Sequence, residues 1–183
     1  MMNKSRILTI TFLWMIITSV SSCRKDDRLQ EPVQDVLSPT AGIENIDSFM
    51  TAQSRLMKDF TWYLQDPVTR RSSAASPHSK YFRVRFNTTA AQALTDKGKL
   101  PPGGTFPTGA FIVKELYDST GAPLKYIAMM LKDPASNYAV NGWLWAELKP
   151  DGGEYISVKE KGVQCVSCHS TQSRDHTRIF DLF

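Results

Sequence analysis

The chain has 183 residues, 42% hydrophobic and 22% charged, with 10 glycines, 10 prolines and three cysteines. One domain with a real core fits this length; two ordinary domains, wholesale disorder and a repeat array do not. The net charge of +4 is too weak to argue for a nucleic-acid partner.

Lys4 and Arg6 precede an uncharged, mostly apolar run from Ile7 to Val20. Such a run is short for a bilayer span and typical of the core of a signal peptide, here residues 1–22. Val20-Ser21-Ser22-Cys23 resembles a bacterial lipobox. That resemblance implies cleavage before Cys23, lipidation of Cys23, and a membrane contact through the acyl chains. The protein is then expected in the bacterial cell envelope, lipid-anchored, on the periplasmic side of the membrane or at the outer-membrane surface. The competing reading is an uncleaved anchor with an incidental cysteine. Residues 23–40 are charged, polar and proline-containing and read as the lipidated cysteine and a linker. The domain proper is expected over residues 41–183.

Ile43, Ile46, Phe49, Met50, Leu56, Met57, Phe60, Tyr63 and Leu64 recur at helical spacing and predict one amphipathic helix, ended by Pro67. Phe82, Val84 and Phe86 alternate with Tyr81, Arg83 and Arg85 and predict a strand. Asn87 or Thr88 is placed to cap a short helix over Thr89–Leu94, and the stretch Leu100–Thr108 is a turn-rich loop. Strands are predicted at Ala110–Tyr117, Leu124–Lys132 and Gly142–Leu148, with a further one at Tyr155–Val158. Short connections favour antiparallel neighbours. The expected fold class is therefore mainly β (α+β): an antiparallel meander with an N-terminal amphipathic helix and a C-terminal attachment segment. Ile179, Phe180, Leu182 and Phe183 are expected to dock on the body.

Cys165-Val166-Ser167-Cys168-His169 is C-x-x-C-H, the signature of covalent c-type haem attachment. Two thiols add across the two vinyl groups of the porphyrin, and the next residue, His169, supplies the proximal imidazole to iron. With Cys23 assigned to lipid, the domain keeps only these two cysteines. The alternatives are a thioredoxin-type disulfide, which needs a βαβ context, and zinc, which needs a fourth ligand. Only His78 and His176 remain as other histidines.

Phe106-Pro107-Thr108-Gly109, Ile112-Val113-Lys114-Glu115-Leu116, Met130-Leu131-Lys132-Asp133, Gly142-Trp143 and C-x-x-C-H occur in that order. From Tyr81 to Ser170, about half of the chain, this set resembles the cytochrome P-460 family and its relative, beta-type cytochrome c-prime. The resemblance implies an antiparallel β fold, often dimeric, around a five-coordinate haem c with an open distal face. It also implies that Lys114 stands where cytochrome P-460 joins a lysine to a haem meso carbon, and that a distal arginine lies near this strand, with Arg83 the candidate. From the residues alone, Lys114 reads first as a lysine whose stem packs while its ammonium reaches water, and Arg83 as a surface strand arginine. Trp143 and Trp145, sharing one strand face, read as core. Met129, Met130 and His78 read as core filling and a solvated loop rather than as sixth ligands.

The function expected from the resemblance is oxidation of hydroxylamine or a related small nitrogen oxide at an open haem iron, with electrons leaving to a redox partner protein. Catalytic roles fall to Lys114 and Arg83, and cofactor binding to Cys165, Cys168, His169 and Lys114. The alternatives are non-catalytic capture of NO or another small gas, and plain electron transfer. A homodimer is a further expectation, and no nucleic-acid partner is expected.

Overall fold

The structure is a computed structural model and describes residues 38–56, 60–63, 69–70, 77–79, 81–169 and 174–181. The apolar N-terminal run, Cys23, most of the linker, Leu182 and Phe183 lie outside the described residues. Among the described residues no helix is long and apolar enough to cross a membrane.

The body is one antiparallel sheet. In chain order its strands are β1 (Thr61–Trp62), β2 (Thr69–Arg70), β3 (Tyr81–Phe86), β4 (Phe111–Tyr117), β5 (Tyr126–Lys132), β6 (Trp143–Leu148) and β7 (Glu154–Ile156). They lie side by side as β1-β3-β4-β5-β6-β7, with β2 also paired to β3. The four long strands lie where the sequence predicts them, and the sheet is the expected meander from β3 to β7.

Two apolar layers form because both faces of the central strands are covered. On one face Ile46 and Met50 of α1 (Ile46–Leu56) pack with Phe111, Val113, Met129 and Leu144. On the other face Phe82, Phe86, Ile112, Met130, Trp143 and Trp145 pack with Ile179 and Phe180 of the C-terminal segment. Met129 and Met130 thus fill opposite layers.

The predicted helix over residues 43–64 is corrected at its C-terminal end. Helix α1 stops at Leu56, Phe60 is irregular, and Thr61 and Trp62 pair with Phe86 and Arg85 of β3. Aromatic side chains at helical spacing also suit a sheet edge. Phe60 meets Phe111 with ring centroids 5.8 Å apart, and Tyr63 meets Phe86 at 5.9 Å. Burial against the sheet outweighs the small helix preference of such residues. Met57 and Leu64 lie outside the described residues.

The short helix α2 (Thr88–Gln92) is capped by Asn87, whose Oδ1 accepts from Ala90 N and Phe111 N, each at 2.9 Å. Asn87 Nδ2 donates to Gly109 O at 2.9 Å. One side chain therefore joins the helix start to the turn that launches β4.

Candidate functional site

The C-x-x-C-H motif occupies one helical turn. The amides of Cys168 and His169 bond Cys165 O at 3.2 and 3.1 Å, and α3 spans Val166–His169. Residues three and four apart share a helix face, so Cys165, Cys168 and His169 turn the same way. All three line a single cavity of about 540 Å³.

Contacts to α1 and to the sheet hold this turn in place. Ser157 caps the preceding 3-10 turn (Val158–Glu160) in a reciprocal box with Glu160. Ser157 Oγ donates to Asp47 Oδ2 at 2.5 Å, and Val158 N donates to Asp47 Oδ1 at 2.8 Å. Gly162 follows at φ +61°, lying so close to Trp145 that a Cβ there would sit 2.6 Å from Trp145 Cδ1. Trp145 in turn meets the His169 ring at 5.0 Å in an edge arrangement.

His169 Nδ1 donates to His176 O at 2.7 Å, which fixes the tautomer and leaves Nε2 as the nitrogen with a lone pair able to ligate a metal. Burial first, and then the nearby His78, Lys114 and Arg178, lower the His169 pKa to about 4 against the raising effect of that backbone bond. The ring is accordingly neutral at neutral pH, as a metal ligand must be. Cys165 and Cys168 are both free thiols. Burial first, then the carboxylate of Glu147, raises the Cys165 pKa to about 11.

The opposite wall is the sheet. Val84, Lys114, Ala128 and Glu147 are matched across β3, β4, β5 and β6 and all line the cavity. Lys114 is half-buried, with Nζ 4.4 Å from the Phe82 ring centroid. Phe82, Ile112, Met130, Trp145, Ile156 and Ile179 make the remaining wall largely apolar. The fit to a porphyrin is direct: two thiols, one oriented imidazole and an apolar cleft whose volume lies in the usual range for small-molecule and cofactor sites, roughly 300–1,000 Å³.

Of the residues singled out from sequence, Lys114, Cys165, Cys168 and His169 come together here. Arg83 does not. It pairs with Glu115 in register, so both face away from Lys114. Arg83 Nε and Arg85 donate to the Glu115 carboxylate, which also accepts from Tyr117 Oη, and both guanidiniums lie over Trp62 at 4.3 and 4.6 Å. The expectation of Arg83 as a distal catalytic residue is thus corrected: alternation sends it to the face opposite the cavity.

Sequence reading missed Glu147 and set His78 aside as a loop residue; both line the cavity. Glu147 is 8% exposed on a strand otherwise apolar, and its Oε2 lies 3.3 Å from His78 Nδ1. The signal was a carboxylate inside the buried run Trp143–Leu148, which demands a partner. His78, read as loop, is that partner and stands on the cavity wall.

The model of the family described as Cytochrome P460 matches residues 61–180. No curated protein matches the chain.

Proposed function

The chain belongs to the cytochrome P460 family and is a haem protein, and from that premise we propose that it is an envelope haem c oxidoreductase acting on hydroxylamine or a related small nitrogen oxide. The observation that carries the reading is the convergence of Cys165, Cys168, His169 and Lys114 on one apolar cavity.

Cys165 and Cys168 would hold the porphyrin through thioethers, and His169 Nε2 would ligate its iron. When bound, the haem supplies a metal that takes a small nitrogen oxide and accepts its electrons. The protein supplies the rest. His176 O keeps the imidazole oriented. The apolar wall excludes water and strengthens every charge interaction inside. Lys114, placed between Ile112 and Leu116 on the cavity strand, would be joined to the ring edge, as the family resemblance implies. Glu147 is the carboxylate within the cavity able to take a proton from the bound substrate, and His78 is positioned to receive it.

The N-terminal signal, lipid on Cys23 and an electron-accepting partner protein complete the proposal. Turnover is tested by hydroxylamine-dependent reduction of an electron acceptor by the haem-loaded protein. Sustained turnover supports the oxidoreductase. Binding of NO without turnover would replace it with a gas-binding role.

A further inference from the structure

We propose that Tyr126 and Tyr155 form an aromatic gate at the mouth of the haem cavity and select by size the ligands that reach the metal. This rests on the haem reading above, and it names the residues that would confine the site to small ligands such as nitrogen oxides.

The first support is position. Val84, Lys114, Ala128 and Glu147 form one row across the sheet wall of the cavity. Along β5 the next residue on the face of Ala128 is Tyr126, and β5 begins there, so Tyr126 closes the wall at the end of the strand. Tyr126 also borders a second, shallower depression of about 310 Å³, together with Lys125, Lys149, Pro150 and Asp151. Its ring therefore stands between that outer depression and the cavity of about 540 Å³.

The second support is what brings Tyr155 to the same place. Glu147 is matched to Ile156 and Leu148 to Glu154, so Tyr155 has no register partner and forms a β-bulge. A regular strand sends neighbouring side chains to opposite faces, yet Tyr155 and Ile156 both line the cavity. The bulge re-aims Tyr155, and its ring stacks on Tyr126 with centroids 4.8 Å apart and planes inclined by 25°. The two rings differ in freedom. Tyr126 is half-buried and packed against the core. Tyr155 is 55% exposed on a strand of three residues. Swinging Tyr155 outward breaks one exposed aromatic stack and leaves the core undisturbed.

The test uses the full chain matured with haem, its attachment checked by intact mass. Association rates of CO and of the bulkier tert-butyl isocyanide with the ferrous protein are measured for the parent, Tyr155→Ala and Tyr155→Phe. Tyr155→Ala should speed the isocyanide by about tenfold, the scale of one aromatic stack, and CO by less than about twofold. Tyr155→Phe keeps the stack and should match the parent. Tyr126→Leu keeps a buried apolar side chain but loses the stack, and should repeat the result of Tyr155→Ala. An unchanged ratio of isocyanide to CO rates in Tyr155→Ala or Tyr126→Leu, or a Tyr155→Phe protein that behaves like Tyr155→Ala, overturns the gate while the haem reading stands. An altered haem spectrum in Tyr155→Ala overturns it too, because a gate leaves the metal's coordination as it was. A protein that acquires no haem overturns both.

Discussion

His169 and His176 each donate a ring N–H to the other's backbone carbonyl: His169 Nδ1 to His176 O at 2.7 Å, and His176 Nδ1 to His169 O at 3.0 Å. The His169 ring is thereby set by a turn seven residues on. That turn runs through Asp175 and His176, both at positive φ (48° and 66°), an uncommon conformation for residues other than glycine.

Asp175 keeps the turn in place. Its carboxylate takes Lys132 Nζ at 2.8 and 2.9 Å, Phe106 N at 2.8 Å and Trp143 Nε1 at 3.2 Å. The side chains of Asp175 and Lys132 are only 5% and 12% exposed. Removing one partner of such a pair strands the other charge, so Asp175→Ala should cost about 3–5 kcal/mol. Urea unfolding followed by circular dichroism measures it; a loss under about 1 kcal/mol would show that the clamp matters little.

Replacing Gly162 by alanine should destabilise for two reasons. The position has φ +61°, and the new Cβ would meet Trp145 Cδ1 at 2.6 Å and Cγ at 2.8 Å. Overpacking of this kind costs about 1–3 kcal/mol. Because Trp145 borders His169, the ferrous absorption spectrum should shift together with the melting temperature. An unchanged spectrum and melting temperature would mean that the tryptophan yields freely.

Stability of the haem-free chain should fall on acidification. The folded His169 pKa, lowered to about 4 by burial, lies below the ordinary value of about 6.5. Between these two values the unfolded chain binds a proton that the folded chain refuses, so folding stability declines as pH falls through that window and levels off below it. Unfolding titrations of the parent and His169→Gln chains should converge near pH 4 and diverge near pH 7, the parent being the more stable there. Parallel curves would contradict this.

The cluster on the other face of the sheet is structural in this account. Glu115 is 4% exposed and receives Arg83, Arg85 and Tyr117. Glu115→Ala should therefore cost about 3–5 kcal/mol by leaving Arg85 buried without its carboxylate. Arg83→Ala should leave ligand binding at the haem unchanged. A weakened affinity for NO or hydroxylamine in Arg83→Ala would return that arginine to the site.

Much of this architecture was legible in the sequence because the alternation in Phe82–Phe86 and the apolar runs Phe111–Tyr117 and Tyr126–Lys132, bounded by turn residues, are local properties. The motif turn was legible for the same reason: Cys165, Cys168 and His169 share a face whatever surrounds them. What escaped depends on distant pairing. Alternation separates Arg83 from Val84, but only the match of Val84 to Lys114 tells which of the two sees the cavity. Phe60 and Tyr63 keep helical spacing, yet the sheet edge recruits the segment between them. Asp175 and His78 look like polar loop residues until Lys132 and Glu147 are brought to them from 43 and 69 positions away.

The central claim is that Cys165 and Cys168 carry a covalently attached haem, and intact mass spectrometry of the denatured protein from a host that matures haem c tests it most directly. One haem mass should be added per chain, the pigment should stay with the protein in acidified acetone, and Cys165→Ser with Cys168→Ser should abolish both. A pigment that extracts cleanly, or a chain of unmodified domain mass, would contradict the account.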